Sequence, residues 1–146
     1  MKKILMAILA TLLIITTLAG CGNSESSDLN KSFGTKAISI TPTDVTREKA
    51  ASNRKIILRV KVKVKNHSKK AMGIGAGNFQ LKDDNGKTYD IYGMKSNSLG
   101  QEIMPGESIK GNVYFEVPAD LERGWVDYSV FLNEEPAAEW LLTFPK

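Results

Sequence analysis

The residues best suited to binding chemistry form a basic stripe, Arg59, Lys61, Lys63 and Lys65, in which cations occupy alternate positions. Successive side chains of a β-strand point to opposite faces, so this spacing places all four cations on one face of a predicted strand. Such a face is a candidate polyanion-binding site for an anionic polymer or for phospholipid headgroups. The alternative, which the sequence favours, is a solvated face whose cations pair with acidic side chains on neighbouring strands. The stripe lacks the aromatic residues of a nucleic-acid platform, so we expect no nucleic-acid partner.

The other polar clusters are weaker candidates for chemistry. His67 is the only histidine, so it predicts no zinc site, and it lies in a polar turn. Residues 83–86 resemble a calcium loop, but Leu81 stands at the first ligand position, and a hairpin turn explains the run better. Glu134 and Glu135 are adjacent, whereas glycosidase chemistry needs two carboxyl groups across a cleft. We therefore predict no catalytic residue, no metal site and no cofactor, and we expect the protein not to be an enzyme.

The N-terminus predicts export and lipid attachment. Lys2 and Lys3 precede an apolar run, which is followed by Leu-Ala-Gly and then by Cys21. This order resembles the signal of bacterial lipoproteins, in which the cysteine thiol is diacylglyceryl-modified. The apolar run is shorter than the ~20 residues that a membrane span prefers. We therefore predict a signal peptide at residues 1–20, lipidation of Cys21, and a location on the extracytoplasmic face of the cell membrane.

The rest of the chain predicts a tether and one domain. Residues 21–35 are polar and serine-rich, which favours a flexible tether, and residues 36–146 have the length of one modest domain. Without Lys2 and Lys3 the chain has 18 basic against 16 acidic side chains, so a cationic surface has to come from local clustering. Cys21 is the only cysteine, so the fold depends on its apolar core without an internal disulfide.

Alternating apolar residues predict that strands position the basic stripe. The clearest strand is residues 56–66, whose even positions are apolar. Further strands are predicted at residues 36–41, 71–81 (bent), 87–92, 108–117, 125–132 and 139–144. Pro42 is expected to end the first strand or to place it at an edge, with a turn or short helix at residues 46–51. The loop after Tyr92, with Met94 and Met104, is a candidate recognition edge. Short strands without a helical pattern predict an all-β protein, an immunoglobulin-like β-sandwich of about seven strands.

Several motifs occur in an order that carries a family resemblance. They are the alternating valines that end at Asn66, Phe79-x-Leu81-x-Asp83-x-x-Gly86-x-x-Tyr89, Pro105-Gly106-Glu107, and Gly111-x-Val113-x-Phe115-Glu116-Val117-Pro118. Their order resembles a bacterial lipoprotein family with an immunoglobulin-like domain of unknown function. That family is related to an immunoprotective extracellular antigen and is sometimes mislabelled telomeric repeat-binding factor. The motifs are turn and core residues, so the resemblance implies a fold and a compartment but assigns no site residue.

The sequence therefore favours a membrane-anchored extracytoplasmic lipoprotein that acts as a non-enzymatic binding domain. Its expected partners are the membrane, through the lipidated N-terminus, and an envelope protein or anionic polymer. The alternative is an accessory or substrate-binding subunit of an export, sensing or envelope system. A hydrolase is disfavoured, because clusters of histidine, cysteine and acidic residues are missing from the sequence.

Overall fold

The computed structural model describes residues 26–131 and 134–146, which form ten β-strands and one 3-10 helix. The strands are β1 (Phe33–Gly34), β2 (Ile38–Lys49), β3 (Lys55–Asn66), β4 (Met72–Gly75), β5 (Phe79–Lys82), β6 (Thr88–Tyr89), β7 (Gly100–Ile103), β8 (Ser108–Pro118), β9 (Arg123–Tyr128) and β10 (Ala138–Thr143). The 3-10 helix is Ala76–Asn78. The predicted signal peptide and Cys21 lie outside the described residues. Among the residues that are described, no helix is long and apolar enough to cross a membrane.

Two four-stranded antiparallel sheets form the sandwich. The first sheet has the strand order β1-β2-β3-β8, the second has the order β10-β9-β5-β6, and β4 and β7 form a separate two-stranded sheet. Apolar side chains of both four-stranded sheets belong to one buried cluster. The predicted immunoglobulin-like β-sandwich is therefore confirmed.

The apolar alternation of β3 supplies the centre of this core, as predicted. Its even positions Leu58, Val60, Val62 and Val64 are fully buried. β3 is paired on one side with β2 and on the other with β8, so it is a central strand of its sheet. Burial of such a side chain contributes about 1.5–3 kcal/mol, which makes this strand a main source of stability. The cations at its odd positions consequently point away from the core.

Pro42 does not end the first strand, but it lies where β2 has a paired strand on one side only, which fits the alternative of an edge position. The predicted turn or short helix at residues 46–51 is wrong. β2 continues through Pro42 to Lys49, and it pairs with β3 over nearly its whole length. The register shifts between Pro42 and Asp44, and this irregularity accommodates a residue that has no N–H to donate. The acidic side chains that follow Pro42 are thereby placed in the sheet, beside the basic stripe.

Other predicted strands differ in their bounds. The bent strand at residues 71–81 is two strands, β4 and β5, separated by the 3-10 helix, and the loop after Tyr92 contains β7. β9 ends at Tyr128, so Val130 lies beyond it and is 40% exposed, while Leu132 lies outside the described residues. Trp140 is fully buried, whereas Trp125 is only half-buried, because it occupies an outward position of β9.

Both predicted tight turns are present. The carboxylate of Asp83 accepts hydrogen bonds from the backbone N–H groups of Asn85 (2.9 Å) and Lys87 (3.0 Å). Gly86 and Gly106 each have a φ of 78°, the left-handed conformation that such turns require. The residues that resemble a calcium loop are therefore explained by the hydrogen bonds of a turn.

Part of the predicted tether is packed on the sandwich. We call residues 27–33 the N-terminal strap, because they connect an edge of each sheet. The N–H of Asp28 donates to the carbonyl of Leu141 in β10 at 2.7 Å, and the N–H of Asn30 donates to the carbonyl of Pro42 in β2 at 2.8 Å. The strap then continues into β1, which pairs with β2. Ordered contacts of the domain thus begin before residue 36.

Candidate functional site

The structure divides the basic stripe into two parts, and Arg59 belongs to the paired part. Its guanidinium lies 3.7 Å from a carboxylate oxygen of Asp44 and 3.9 Å from one of Glu48. Glu48 also contacts the ammonium of Lys95 at 2.5 Å, and this hydrogen bond raises the pKa of Lys95. The side chains are partly exposed, so each pair contributes little to stability. For Arg59 the structure shows the ion pairing that the alternative interpretation expects.

A loop covers this paired part of the sheet. Its residue Tyr92 packs against a small apolar cluster on the outer face, formed by Ala50, Ile57 and Tyr114. The hydroxyl of Tyr114 donates to the side-chain oxygen of Asn97 at 2.9 Å, which holds the loop on β8. Met94 of the same loop is 81% exposed. The candidate recognition edge is therefore anchored to the sheet, and Met104, which follows β7, is also exposed.

The other part of the stripe is an open cluster of cations. Lys61, Lys63 and Lys65 project from β3, and Lys110 of β8 lies directly opposite Lys63. We call these four residues the lysine face. Within residues 26–131 and 134–146, none of the four has an ion pair or a side-chain hydrogen bond. Asp44 is opposite Lys61 in register, but its carboxylate is directed to the guanidinium described above. The lysine face is thus a concentrated, uncompensated positive surface.

Lys110 was missed by sequence analysis, although a signal for it exists. Residues 108–117 alternate, with Val113, Phe115 and Val117 buried, so the same period puts Lys110 on the outer side. The sequence does not reveal that β8 is the neighbour of β3, or that Lys110 faces Lys63. That placement depends on the register of the sheet.

A serine–histidine contact lies at the end of the lysine face. Nε2 of His67 is 2.7 Å from Oγ of Ser39, which pairs in register with Lys65. His67 is exposed in the polar turn after β3, and the sequence did not predict its hydrogen bond. Such a contact activates a hydroxyl when a third group orients the imidazole and further donors stabilise an oxyanion. Among the side chains that the structure describes, no carboxylate is bonded to His67.

The outer face of the second sheet carries a buried acid. The ammonium of Lys82 lies 3.3 Å from the carboxylate of Asp127 and 3.6 Å from that of Glu139. Burial raises the pKa of Asp127 by more than Lys82 lowers it, while the hydrogen bond to Asp127 raises the pKa of Lys82. The pKa of Asp127 is raised because this residue is only 6% exposed, and burial disfavours its charged form. Lys82 is more open to solvent, so the nearby carboxylate dominates and favours its charged form. In the described ranges, no group of three or more His, Cys, Asp or Glu side chains is arranged to hold a metal ion.

Comparisons with known proteins give a family and a fold. Residues 27–136 match the model of a family described as domain of unknown function DUF4352. The structure is similar to that of YcdA from Bacillus subtilis, described as "a putative lipoprotein" (18% identity, TM-score 0.62). The match covers 82% of this chain and 39% of the YcdA chain. It is also similar to the secreted protein MPT63 from Mycobacterium tuberculosis (14% identity, TM-score 0.63, 77% of this chain and 93% of that one). A β-sandwich protein from Clostridium difficile is a third such structure (10% identity, TM-score 0.53, 80% and 91%). No curated protein matches the sequence.

These likenesses have different weight. Sequence identities of 10–18% support a shared fold and nothing further. The chain spans only 39% of the YcdA chain, so YcdA contains more than this domain. The family match, in contrast, extends from the N-terminal strap to the residues before β10 and thus covers most of the sandwich. The chain belongs to the DUF4352 family of domains of unknown function.

Proposed function

We propose that this protein is an extracytoplasmic lipoprotein, anchored to the cell membrane through Cys21, whose sandwich binds an anionic component of the cell envelope without catalysing a reaction. The order of a positive segment, an apolar segment and small residues before Cys21 supports the anchor. MPT63, which has a similar fold, is a secreted protein, and this supports a place outside the cytoplasm.

The observation that carries the proposal is the lack of partners on the lysine face. Acidic residues are present on the same sheet, but they serve other cations: Glu48 and Asp44 pair with Arg59, and Glu116 contacts Lys55 at 2.5 Å. Cations on adjacent strands repel one another when no anion lies between them. An anionic ligand would relieve this repulsion, and cations at alternate positions of a sheet face suit the repeated phosphates of a polymer or of a lipid surface.

The test uses the lipidated full-length protein in uncharged detergent micelles and soluble polyphosphate as the probe. The variant Lys61→Gln/Lys63→Gln/Lys65→Gln is expected to bind polyphosphate about 100-fold more weakly, at roughly fivefold per lysine. The matched control, Lys49→Gln/Lys87→Gln/Lys146→Gln, removes the same charge from exposed sites elsewhere.

The control should retain its affinity, and the affinity of the native protein should fall steeply with added salt. An equal loss in both variants would mean that net charge alone attracts the probe. Binding that is independent of salt would likewise contradict a role for the lysine face.

The non-enzymatic part of the proposal is tested at the serine–histidine contact. The native protein and the variants Ser39→Ala and His67→Asn are incubated with an activated ester. We expect equal, background rates of hydrolysis, because the pair lacks a described carboxylate to orient the imidazole. A rate that falls in both variants would contradict the proposal and identify Ser39 as a nucleophile.

A further inference from the structure

We propose that the anionic partner of the lysine face is the headgroup layer of the membrane that holds the anchor, so that the outer face of β3 and β8 lies against the bilayer. This inference rests on the proposed lipid anchor at Cys21 and on the proposed binding role of the lysine face. It is carried by three observations: where the strap joins the sandwich, how little chain separates it from Cys21, and how charge is distributed between the two outer faces.

The strap crosses from β10 of the second sheet to the edge of the first sheet, close to the lysine face. The N–H of Asn30 donates to the carbonyl of Pro42, and Pro42 is opposite Val62 of β3, between Lys61 and Lys63. Neighbouring strands are about 4.8 Å apart. The strap therefore meets the first sheet roughly 10 Å from the strand that bears the lysines, two strand spacings away. A chain that comes from the membrane thus reaches the sandwich at β10 of the second sheet and crosses from there to the edge of the sheet that bears the lysines.

The chain between the anchor and the strap is short. Ser27 is already placed on the sandwich, where its hydroxyl accepts a hydrogen bond from the N–H of Thr143 at 3.4 Å. Six residue steps lead from Cys21 to Ser27. A fully extended chain spans at most about 3.5 Å per residue, so the attachment point stays within about 20 Å of the lipidated residue. Such a tether keeps the lysine face at a high effective concentration near the headgroups.

The two outer faces of the sandwich differ in charge. The lysine face carries four unpaired cations, as described above. The outer face of the second sheet carries Asp127, Glu139 and Asp90 around Lys82, and its other cation, Arg123 in β9, pairs with Asp84 at 2.7 Å. An anionic bilayer attracts the first face and repels the second, so electrostatics selects one orientation of a domain that is attached at its edge. The attraction between the lysines and the headgroups is screened beyond about 8 Å at physiological ionic strength. The tether is longer than this distance, so it leaves the domain free to turn the lysine face towards the headgroups.

The experiment measures the orientation of the lipidated full-length protein in vesicles. Because Cys21 is the only cysteine and carries the lipid, an introduced cysteine takes a single fluorescent label. One label is placed at exposed Ser108, opposite Lys65 on the first sheet, and the other at exposed Thr88, opposite Lys82 on the second. Energy transfer to acceptor lipids then reports the distance of each face from the bilayer surface.

On phosphatidylcholine vesicles with about 30% phosphatidylglycerol, we expect the Ser108→Cys label to lie roughly 20 Å closer to the bilayer than the Thr88→Cys label. The difference should vanish on pure phosphatidylcholine, at high salt, and in Lys61→Gln/Lys63→Gln/Lys65→Gln. The control Lys49→Gln/Lys87→Gln/Lys146→Gln should keep it. Equal distances on the anionic vesicles, or an orientation that survives loss of the three lysines, would overturn the inference.

The failure of this inference can be distinguished from failure of the proposed function. If the labels show no orientation on anionic vesicles but polyphosphate still binds through the lysines, the partner is a soluble or wall-bound polymer and not the membrane. If polyphosphate binding is also insensitive to the three substitutions, the lysine face has no binding role, and both proposals are wrong.

Discussion

Substitution of Asn66 is expected to destabilise the sandwich by more than its position at the end of a strand suggests. Asn66 is fully buried. Its side-chain N–H groups donate to the carbonyls of Lys70 (2.7 Å) and Ile103 (2.9 Å), and its side-chain oxygen accepts from the N–H of Ser68 (2.8 Å). One amide therefore connects the end of β3 to the turn that follows it and to the end of β7.

The Asn66→Ala variant loses all three hydrogen bonds. At about 1 kcal/mol net for each, the free energy of unfolding should fall by about 3 kcal/mol. For a domain of this length, about 4 °C per kcal/mol gives a midpoint roughly 12 °C lower. The exposed Asn53 in the β2–β3 turn is the control, because Asn53→Ala should change stability by less than about 0.5 kcal/mol.

The Asn66→Asp variant tests the direction of the hydrogen bonds. Its carboxylate would face two carbonyl oxygens, so the pKa of the introduced group should be raised in the folded state above the unfolded value of about 3.9. At pH values between the unfolded pKa and the raised folded pKa, the folded state therefore binds more protons than the unfolded state. Stability should therefore fall as the pH rises through this window, and it should recover in acid.

Urea denaturation followed by tryptophan fluorescence, at about pH 7 and about pH 4.5, measures both effects. Asn53→Asp serves as the control for a new carboxylate at an exposed site. If Asn66→Ala unfolds within about 0.5 kcal/mol of the native protein, the amide does not hold the three segments together. If Asn66→Asp destabilises the protein equally at both pH values, the native amide of Asn66 does not donate to the carbonyls of Lys70 and Ile103.

Three further predictions concern charged residues. Asp28→Ala should lower the free energy of unfolding by about 2 kcal/mol at neutral pH. Because the pKa of Asp28 is lowered in the folded state, this contribution should be lost as the pH falls below about 4. Acid denaturation profiles of the native protein and the variant measure the difference. Lys82→Met should destabilise the protein by about 1 kcal/mol and Asp127→Asn should restore most of the loss, so a double-mutant cycle without coupling would contradict the pairing. Lys110→Gln should raise the thermal midpoint by about 1 °C at low salt by removing the repulsion with Lys63, and a gain that persists at high salt would have another cause.

The sequence predicted the sandwich because its signals are local. The alternation of β3 requires only that a strand have one buried and one solvated face, and the turns at Gly86 and Gly106 require only a residue that accepts a positive φ. The strand through Pro42 could not be predicted in this way. A proline usually ends a strand, and here it is accommodated by a register shift that depends on β3 as the partner.

The wrong prediction for residues 46–51 also limits how much of the site the sequence could predict. Because residues 46–51 were predicted outside the sheet, Glu48 could not be placed beside Arg59, and the stripe could not be divided into a paired and an unpaired part. Likewise, the contact between Ser39 and His67 spans 28 positions and depends on the register of β2 against β3. Alternation shows which side chains leave the core, whereas register determines which of them meet.

The register gives the lysine face a stability cost that its paired neighbour does not have. Lys63 and Lys110 are directly opposite on adjacent strands, where like charges repel, and no described acid lies within ion-pair distance of either. On the same sheet Arg59 has two carboxylates within 4 Å, so the strands are able to supply acidic neighbours. A cluster that is unfavourable in the free domain becomes favourable when an anionic surface lies against it. The unpaired lysines are therefore the feature of the fold on which the proposed anionic ligand depends.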